Sequence, residues 1–266
     1  AIGYFSPENE AMFNVAIRTL VIDGAKGEMG IGSGIVFDSD ARREYEECQL
    51  KAEFLTQPLE QFHLVESILW NGEYRLLSFH LDRLCASAGY FGFTIDREHV
   101  LRELTSNENH LSKGSVYKVR LLLESTGTVT IENQPLSNIS STGKVTLSPL
   151  RTSSGDKFLF HKTTRRQVYD SELERAFQNG CDDVLFCNER GEITEGAISN
   201  VFIEQEGKLY TPPHLCGLLP GVHRRHILEN TPEASEKILS LQDLRAADAI
   251  FICNSLRGMR KVELIA

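Results

Sequence analysis

The sequence has 266 residues, 41% of them hydrophobic and 24% charged, enough for two domains of ordinary size around a sizeable core. Its formal net charge of −9 argues against nucleic acid and anionic membranes as partners, and no apolar run approaches the ~20 residues a spanning helix needs. Cys48, Cys85, Cys181, Cys187, Cys216 and Cys253 lie far apart without a CxxC pair, and the histidines are scattered. That usage speaks for reduced thiols in a cytoplasmic protein and against a metal centre.

The chain opens on AIGYFS, which reads as the middle of a strand, so upstream sequence is expected. MFNVAIRTLVIDG and GSGIVFDS run apolar at strand length and predict strands joined by the Gly-rich turn GAKGEMGIG. DSDARREYEECQLKAEFL follows with helical spacing and an acidic first turn. From Phe62 the pattern restarts. HLVESILW and YRLLSF flank Asn71-Gly72, a pair that accepts positive φ and predicts a hairpin. A helix is expected in FHLDRLCASAGYFGF, with Leu81, Leu84 and Ala88 on one face, and another from Asp96. SVYKVRLLLE and TVTIE predict a hairpin around 125–127.

The polar, Gly/Ser-rich LRTSSGDKF predicts a linker at 150–157 between a small domain (57–149) and a larger one (158–266), with 1–56 as a separate piece. Beyond it VYDSELERAFQNG reads as a helix ending at Gly180. DDVLFCN, EITEGAISNVFIEQ and KLYTPP predict a meander with turns at 189–191 and 206–207. LLPGVHRRHILEN starts a helix after Pro220-Gly221, and AADAIFICN reads as a buried strand. The expected class is α+β tending to α/β.

Several residues along this path could carry chemistry. Lys162 follows the apolar triplet of FLFHK; a stem inserted among apolar groups depresses an amine pKa and makes it a nucleophile and base. Glu195, among Ile193, Ala197 and Ile198, is a carboxylate in a semi-buried strand that wants a permanent cation, such as a protonated pyridine nitrogen. Gly221, Val222 and His223 open a helix, where free N–H groups favour a phosphate; Arg83, on the early helix, could reach the same anion. Asn254 and Ser255 follow a strand, where loop residues commonly face a site. Together these groups are what pyridoxal 5'-phosphate requires, although each alone also has a bland reading as surface or hairpin residue.

From about Gln61 onward the chain resembles the class IV pyridoxal-phosphate enzymes. The carrying strings appear in the family's order: HLDRL, HKTTRR, EITEGAISN, GLLPGVHRR and NSLRG. The resemblance implies the two-domain fold type IV architecture, a homodimer, and Lys162 as the lysine that holds the cofactor. It further implies Glu195 on the ring nitrogen, Leu219 along the ring, and Arg83, Ser199, Gly221, Asn254, Ser255 and the backbone of Val222 and His223 around the cofactor and its phosphate. Residues 1–56 resemble the C-terminal end of the chorismate-binding component of para-aminobenzoate and anthranilate synthases. The strings here are AIGYFSP, FNVAIRTL, GSGIVFDSD and EYEECQLKAEFL, with Glu46, Glu47 and Lys51 matching its chorismate and metal helix. A β-hairpin and helix remnant of that domain is therefore expected ahead of the class IV body.

After Lys162 the chain reads TTRRQ and lacks the Asn-Tyr pair of branched-chain aminotransferases, so the resemblance is nearest to the aminodeoxychorismate lyase branch. That branch implies conversion of 4-amino-4-deoxychorismate to 4-aminobenzoate and pyruvate for folate synthesis. It also implies a glutamine amidotransferase partner for the full-length fusion. Lys162, Ser67 and Thr164 are alternative proton donors to the leaving oxygen, and Arg257 is a candidate for a substrate carboxylate. An aminotransferase for branched-chain or D-amino acids shares the cofactor groups, and a non-catalytic docking module is the remaining alternative.

Overall fold

The described residues of the computed structural model are 2–14, 19–56, 61–137 and 142–265, and the chain divides into two units, Ala1–Gln61 and Phe62–Ala266. In the first unit β1 (Ile2–Phe5) pairs antiparallel with β2 (Ala11–Asn14), and β3 (Leu20–Asp23) with β4 (Lys26–Met29). Helix α1 (Ala41–Thr56) starts where the Asp40 side chain accepts the N–H groups of Arg42 and Arg43. Two expectations fail here. Lys26–Met29 is a strand rather than part of the Gly-rich turn, and GSGIVFDS is irregular, its glycines offering no side chain to pack on a pleated face. None of the described residues of this unit is buried.

The second unit begins with β5 (Leu64–Trp70), then α2 (Leu77–Phe91) and α3 (Arg97–Asn107), capped by Asp96, which accepts from the Glu98 N–H. The hairpin expected after Trp70 does not form. Trp70 makes a single bridge with Tyr74, and Leu76 turns into the helix at φ 55°. Strands β6 (Tyr117–Leu123) and β7 (Val129–Pro135) complete a three-stranded antiparallel sheet in the order β5-β6-β7. Its buried face (Leu64, Ile68, Val119, Leu121, Leu123) packs on Leu81, Leu84 and Ala88 of α2 and on Val100 and Leu104 of α3. The other face carries Val65, Ser67, Lys118 and Arg120, because side chains alternate along a strand.

The remaining strands are β8 (Thr142–Thr152), β9 (Asp183–Asn188), β10 (Ile193–Gly196), β11 (Asn200–Gln205), β12 (Lys208–Thr211), β13 (Ala234–Glu236), β14 (Ala249–Asn254) and β15 (Gly258–Leu264). They form one mixed sheet in the order β10-β9-β8-β15-β14-β11-β12-β13. Residues 150–152 of the expected linker are the end of β8. The expected meander is also interrupted. β10 lies at the sheet edge, whereas β11 pairs with β12 and β14, so the turn at 196–200 carries the chain from one side of the sheet to the other. Helices α4 (Gln167–Gln178), α5 (Val222–Asn230) and α6 (Leu241–Ala246) lie between these strands in the chain. No helix of the described residues is long and apolar enough to cross a membrane.

Candidate active site

A cavity of about 1220 Å³ opens between the polar face of the three-stranded sheet and the strand ends of the mixed sheet. Every candidate of the class IV reading lines it: Ser67, Arg83, Lys162, Thr164, Glu195, Ser199, Leu219, Gly221, Val222, His223, Asn254, Ser255 and Arg257; Glu46, Glu47 and Lys51 lie in the first unit.

Lys162 is held by backbone pairing rather than by a regular strand. Val65 N donates to Lys162 O at 2.9 Å, Thr164 N to His63 O at 3.0 Å, and His63 N to Thr164 Oγ1 at 3.0 Å. The chain beside the amine is therefore a short extension of the β5 edge, and the side chain enters the cavity. Burial, together with the Arg83 and Arg166 guanidinium groups, lowers the Lys162 ammonium to about 8 against the pull of Glu66 and Glu195. Near neutral pH a useful fraction is thus the free amine.

Glu195 stands on the edge strand β10 and is 6% exposed. Tyr169 Oη donates to its Oε1 at 3.2 Å, and Asn200 Nδ2 to its Oε2 at 3.3 Å and to Leu219 O at 2.9 Å. Burial pushes its carboxyl up to about 8, although the Leu219 N–H, Tyr169, Arg166 and Lys162 all favour the charged form. A carboxyl so placed titrates near neutrality until a cation comes against it, and no ion pair to it exists among the described residues. Behind it, Asp183 accepts from Ser199 Oγ and from the N–H groups of Val184 and Ala197, which pins the 196–200 turn. The Ser199 hydroxyl therefore points at Asp183, and this residue contributes the shape of the turn to the cavity wall.

Arg83 is fixed by Glu66. The fork of Nε and Nη2 meets the two carboxylate oxygens at 2.9 and 2.7 Å, His80 Nδ1 bonds the same carboxylate at 2.6 Å, and Arg83 Nη1 reaches Pro220 O at 3.3 Å. Burial raises the Glu66 carboxyl, but Arg83 and His80 more than reverse it and leave it at about 2. Arg83 is thus tied to the residues just before α5. Gly221 caps that helix without a side chain, so its first-turn N–H groups face the cavity uncapped. Arg224, buried against Pro212 O, Thr211 and Glu236, anchors the helix to its neighbouring strands.

Asn254 Oδ1 accepts from the N–H groups of Leu256 and Arg257 and shapes that turn, while Ser255 Oγ donates to Ser67 O at 2.9 Å and Arg257 Nη1 to Ser137 O at 2.7 Å. Glu66, His80, Tyr169, Asp183 and Asn200 support the site and were not singled out in the sequence. For Glu66 the hint was a carboxylate inside the largely apolar LVESILW. Lys118 and Arg120, the register partners of Leu69 and Ser67, bring two cations to the sheet face, Arg120 with an ion pair to Glu132 at 2.9 Å.

Comparison with known proteins finds one family over most of the chain and a fragment of another ahead of it. Residues 63–265 match the family model "Amino-transferase class IV", and residues 1–57 match "chorismate binding enzyme". A "Putative aminodeoxychorismate lyase" of Schizosaccharomyces pombe is 30% identical over 217 residues, covering 78% of this chain and 91% of that protein. Anthranilate synthase component 1 of Methanothermobacter thermautotrophicus is 45% identical over 60 residues, which is 23% of this chain and only 13% of that protein. The crystal structure of a "Putative amino-acid aminotransferase" from Mesorhizobium loti superposes with a TM-score of 0.72 at 36% identity, covering 77% of this chain and all of that one.

Proposed function

The chain belongs to the amino-transferase class IV family, and from that premise we propose that it is a pyridoxal-phosphate lyase that converts 4-amino-4-deoxychorismate to 4-aminobenzoate and pyruvate. The side chains present fit that cofactor. Lys162 offers an amine with no hydrogen-bond or ion-pair partner among the described residues, Glu195 is a buried carboxyl lacking a cation, and Arg83 stands beside an uncapped helix start. On this reading Lys162 holds the cofactor, Glu195 meets the ring nitrogen and Leu219 lies along the ring. Arg83, Ser255 and the α5 N–H groups take the phosphate. When bound, the cofactor supplies an electron sink for the carbon that carries the substrate amine.

The chain's own residues do the rest. Lys162 Nζ, in the fraction that is free amine near neutral pH, removes the proton from the amine-bearing ring carbon. The neighbouring carbon–oxygen bond breaks, its electron pair leaves with enolpyruvate, and the ring becomes aromatic. Enolpyruvate takes up one proton to become pyruvate, so the atoms of the substrate are divided between two products. Ser67 Oγ has no partner among the described residues and lies on the cavity face of β5; Thr164 Oγ1 accepts from His63 N and keeps its own proton free. Either hydroxyl, or the protonated Lys162, can donate to the leaving oxygen. Lys118, Arg120 and Arg257 provide positive charge for a substrate with two carboxylates.

The observation that carries the choice of lyase is the junction in one chain of a chorismate-binding segment with a class IV body. The reading includes a homodimer, and a synthase component served by a glutamine amidotransferase in the full-length fusion. An aminotransferase remains the second reading, favoured by the 36% identity to the Mesorhizobium loti protein. Supplying aminodeoxychorismate separates them: the proposal expects pyruvate and 4-aminobenzoate in equal amounts and little reaction of branched-chain amino acids with 2-oxoglutarate. Rapid transamination of an aliphatic amino acid with no pyruvate from aminodeoxychorismate overturns it.

A further inference from the structure

His223 is the second residue of α5 and is 7% exposed, yet among the described residues neither ring nitrogen has a hydrogen-bond partner. The two nitrogens differ in surroundings. Nδ1 is sealed from solvent and has no hydrogen-bond partner among the described residues. Nε2 lies on the edge of the ring nearest Gly258, where an added Cβ would stand 3.9 Å away, and both residues line the cavity.

A proton on Nδ1 would be a buried donor with no acceptor, whereas a proton on Nε2 can be satisfied from the cavity. An anion in the cavity decides the matter further, since it repels a lone pair on Nε2 and accepts an N–H there. The first turn of α5 already turns its free N–H groups to the same space, and Arg83 is tied to Pro220 immediately before it. We propose that the His223 side chain is a ligand of the cofactor phosphate, donating Nε2–H to a phosphate oxygen alongside the α5 backbone and Arg83. This rests on the cofactor reading above and adds to it a side-chain donor that is selected by the dead end at Nδ1. Burial, with Arg75 and His226, holds the free imidazole down at about 4, so the contact is made by a neutral ring at working pH.

The test uses the full chain with 15N-labelled histidine, stripped of cofactor and titrated with pyridoxal 5'-phosphate, pyridoxal or inorganic phosphate. His223, assigned by its loss in His223→Gln, should carry its proton on Nε2. Its signals should move with the two phosphate-bearing probes and stay in place with pyridoxal. Affinities give a second readout that does not depend on turnover. Gln places its amide where Nε2 lies and Asn where Nδ1 lies. His223→Gln should therefore keep cofactor affinity within a few-fold, while His223→Asn loses about tenfold or more. Pyridoxal affinity should be the same in all three proteins. Identical His223 signals with pyridoxal and its phosphate, or equal cofactor affinity in His223→Asn and the parent, overturns the proposal. Failure of pyridoxal phosphate to bind Lys162 at all counts against the cofactor reading, and in that case the inorganic phosphate titration still decides whether His223 meets an anion.

Discussion

Two buried carboxyls respond to pH in opposite directions because their partners differ. Glu66 is held at about 2, below the ordinary value near 4.3, so its pairing with Arg83 and His80 stabilises the fold fully above about pH 4 and is lost as pH falls toward 2. Glu66→Ala leaves the Arg83 charge buried and unpaired; denaturant unfolding at neutral pH should find a loss of about 3–5 kcal/mol. Glu195, raised to about 8 by burial, is protonated in the fold where the unfolded chain is ionised. The cofactor-free chain should therefore lose stability as pH rises from about 4 through 8. Glu195→Gln removes that dependence, so the variant should melt higher than the parent at pH 8 without cofactor and turn over more slowly with it. Equal melting at pH 8, or undiminished turnover, contradicts the assignment. Lys162, Glu195 and Arg83, which line one cavity, could be picked out because each sits in a string that resembles the class IV family. Tyr169 and Asn200 were not, since a donor that reaches a carboxylate across 26 or 5 residues leaves no mark on local periodicity.

At the scale of elements, the site depends on how closely α5 approaches the 196–200 turn. Gly221 begins the helix, and a Cβ there would run into Asn200 Oδ1, the side chain that joins Glu195 to Leu219. Gly221→Ala should cost about 1–3 kcal/mol by overpacking and weaken cofactor retention as well, because Asn200 must move off the Glu195 carboxyl. Thermal unfolding with and without cofactor measures both effects; an unchanged difference between the two would mean that Asn200 does not support the site. Helices α2, α3, α4 and α5 and the β6–β7 hairpin followed from apolar spacing and turn residues. The strands expected in GSGIVFDS and YRLLSF did not appear. Hydrophobic runs of that length suit strand, loop or helix start alike, and the partner that decides between them lies elsewhere in the chain.

Across the whole molecule, the two units differ in how they are built. Every residue that lines the cavity lies at Val65 or beyond, whereas Ala1–Gln61 has no buried side chain among its described residues and exposes Phe5, Phe13, Ile22, Val36 and Phe37. The segment also spans only 13% of the anthranilate synthase component it resembles, so the bulk of a chorismate pocket is not in this sequence. A chain starting at Phe62 should release pyruvate from aminodeoxychorismate at the parent's rate per folded molecule; a fall beyond about tenfold would mean that the first unit contributes to the site. The restart of the residue pattern near Phe62 falls at the boundary between the two units, whereas the linker expected at 150–157 lies inside the second unit. The mixed sheet's strand order was not, because which strand lies beside which is decided by contacts far apart in sequence.

Lys162 is the proposed anchor of pyridoxal phosphate. The direct measurement is borohydride reduction of the protein loaded with pyridoxal phosphate, followed by peptide mass spectrometry. The cofactor mass should be fixed on Lys162, and Lys162→Ala should take no label while keeping its fold. A label on Lys157 or Lys118 instead, or none on the wild-type chain, would contradict it.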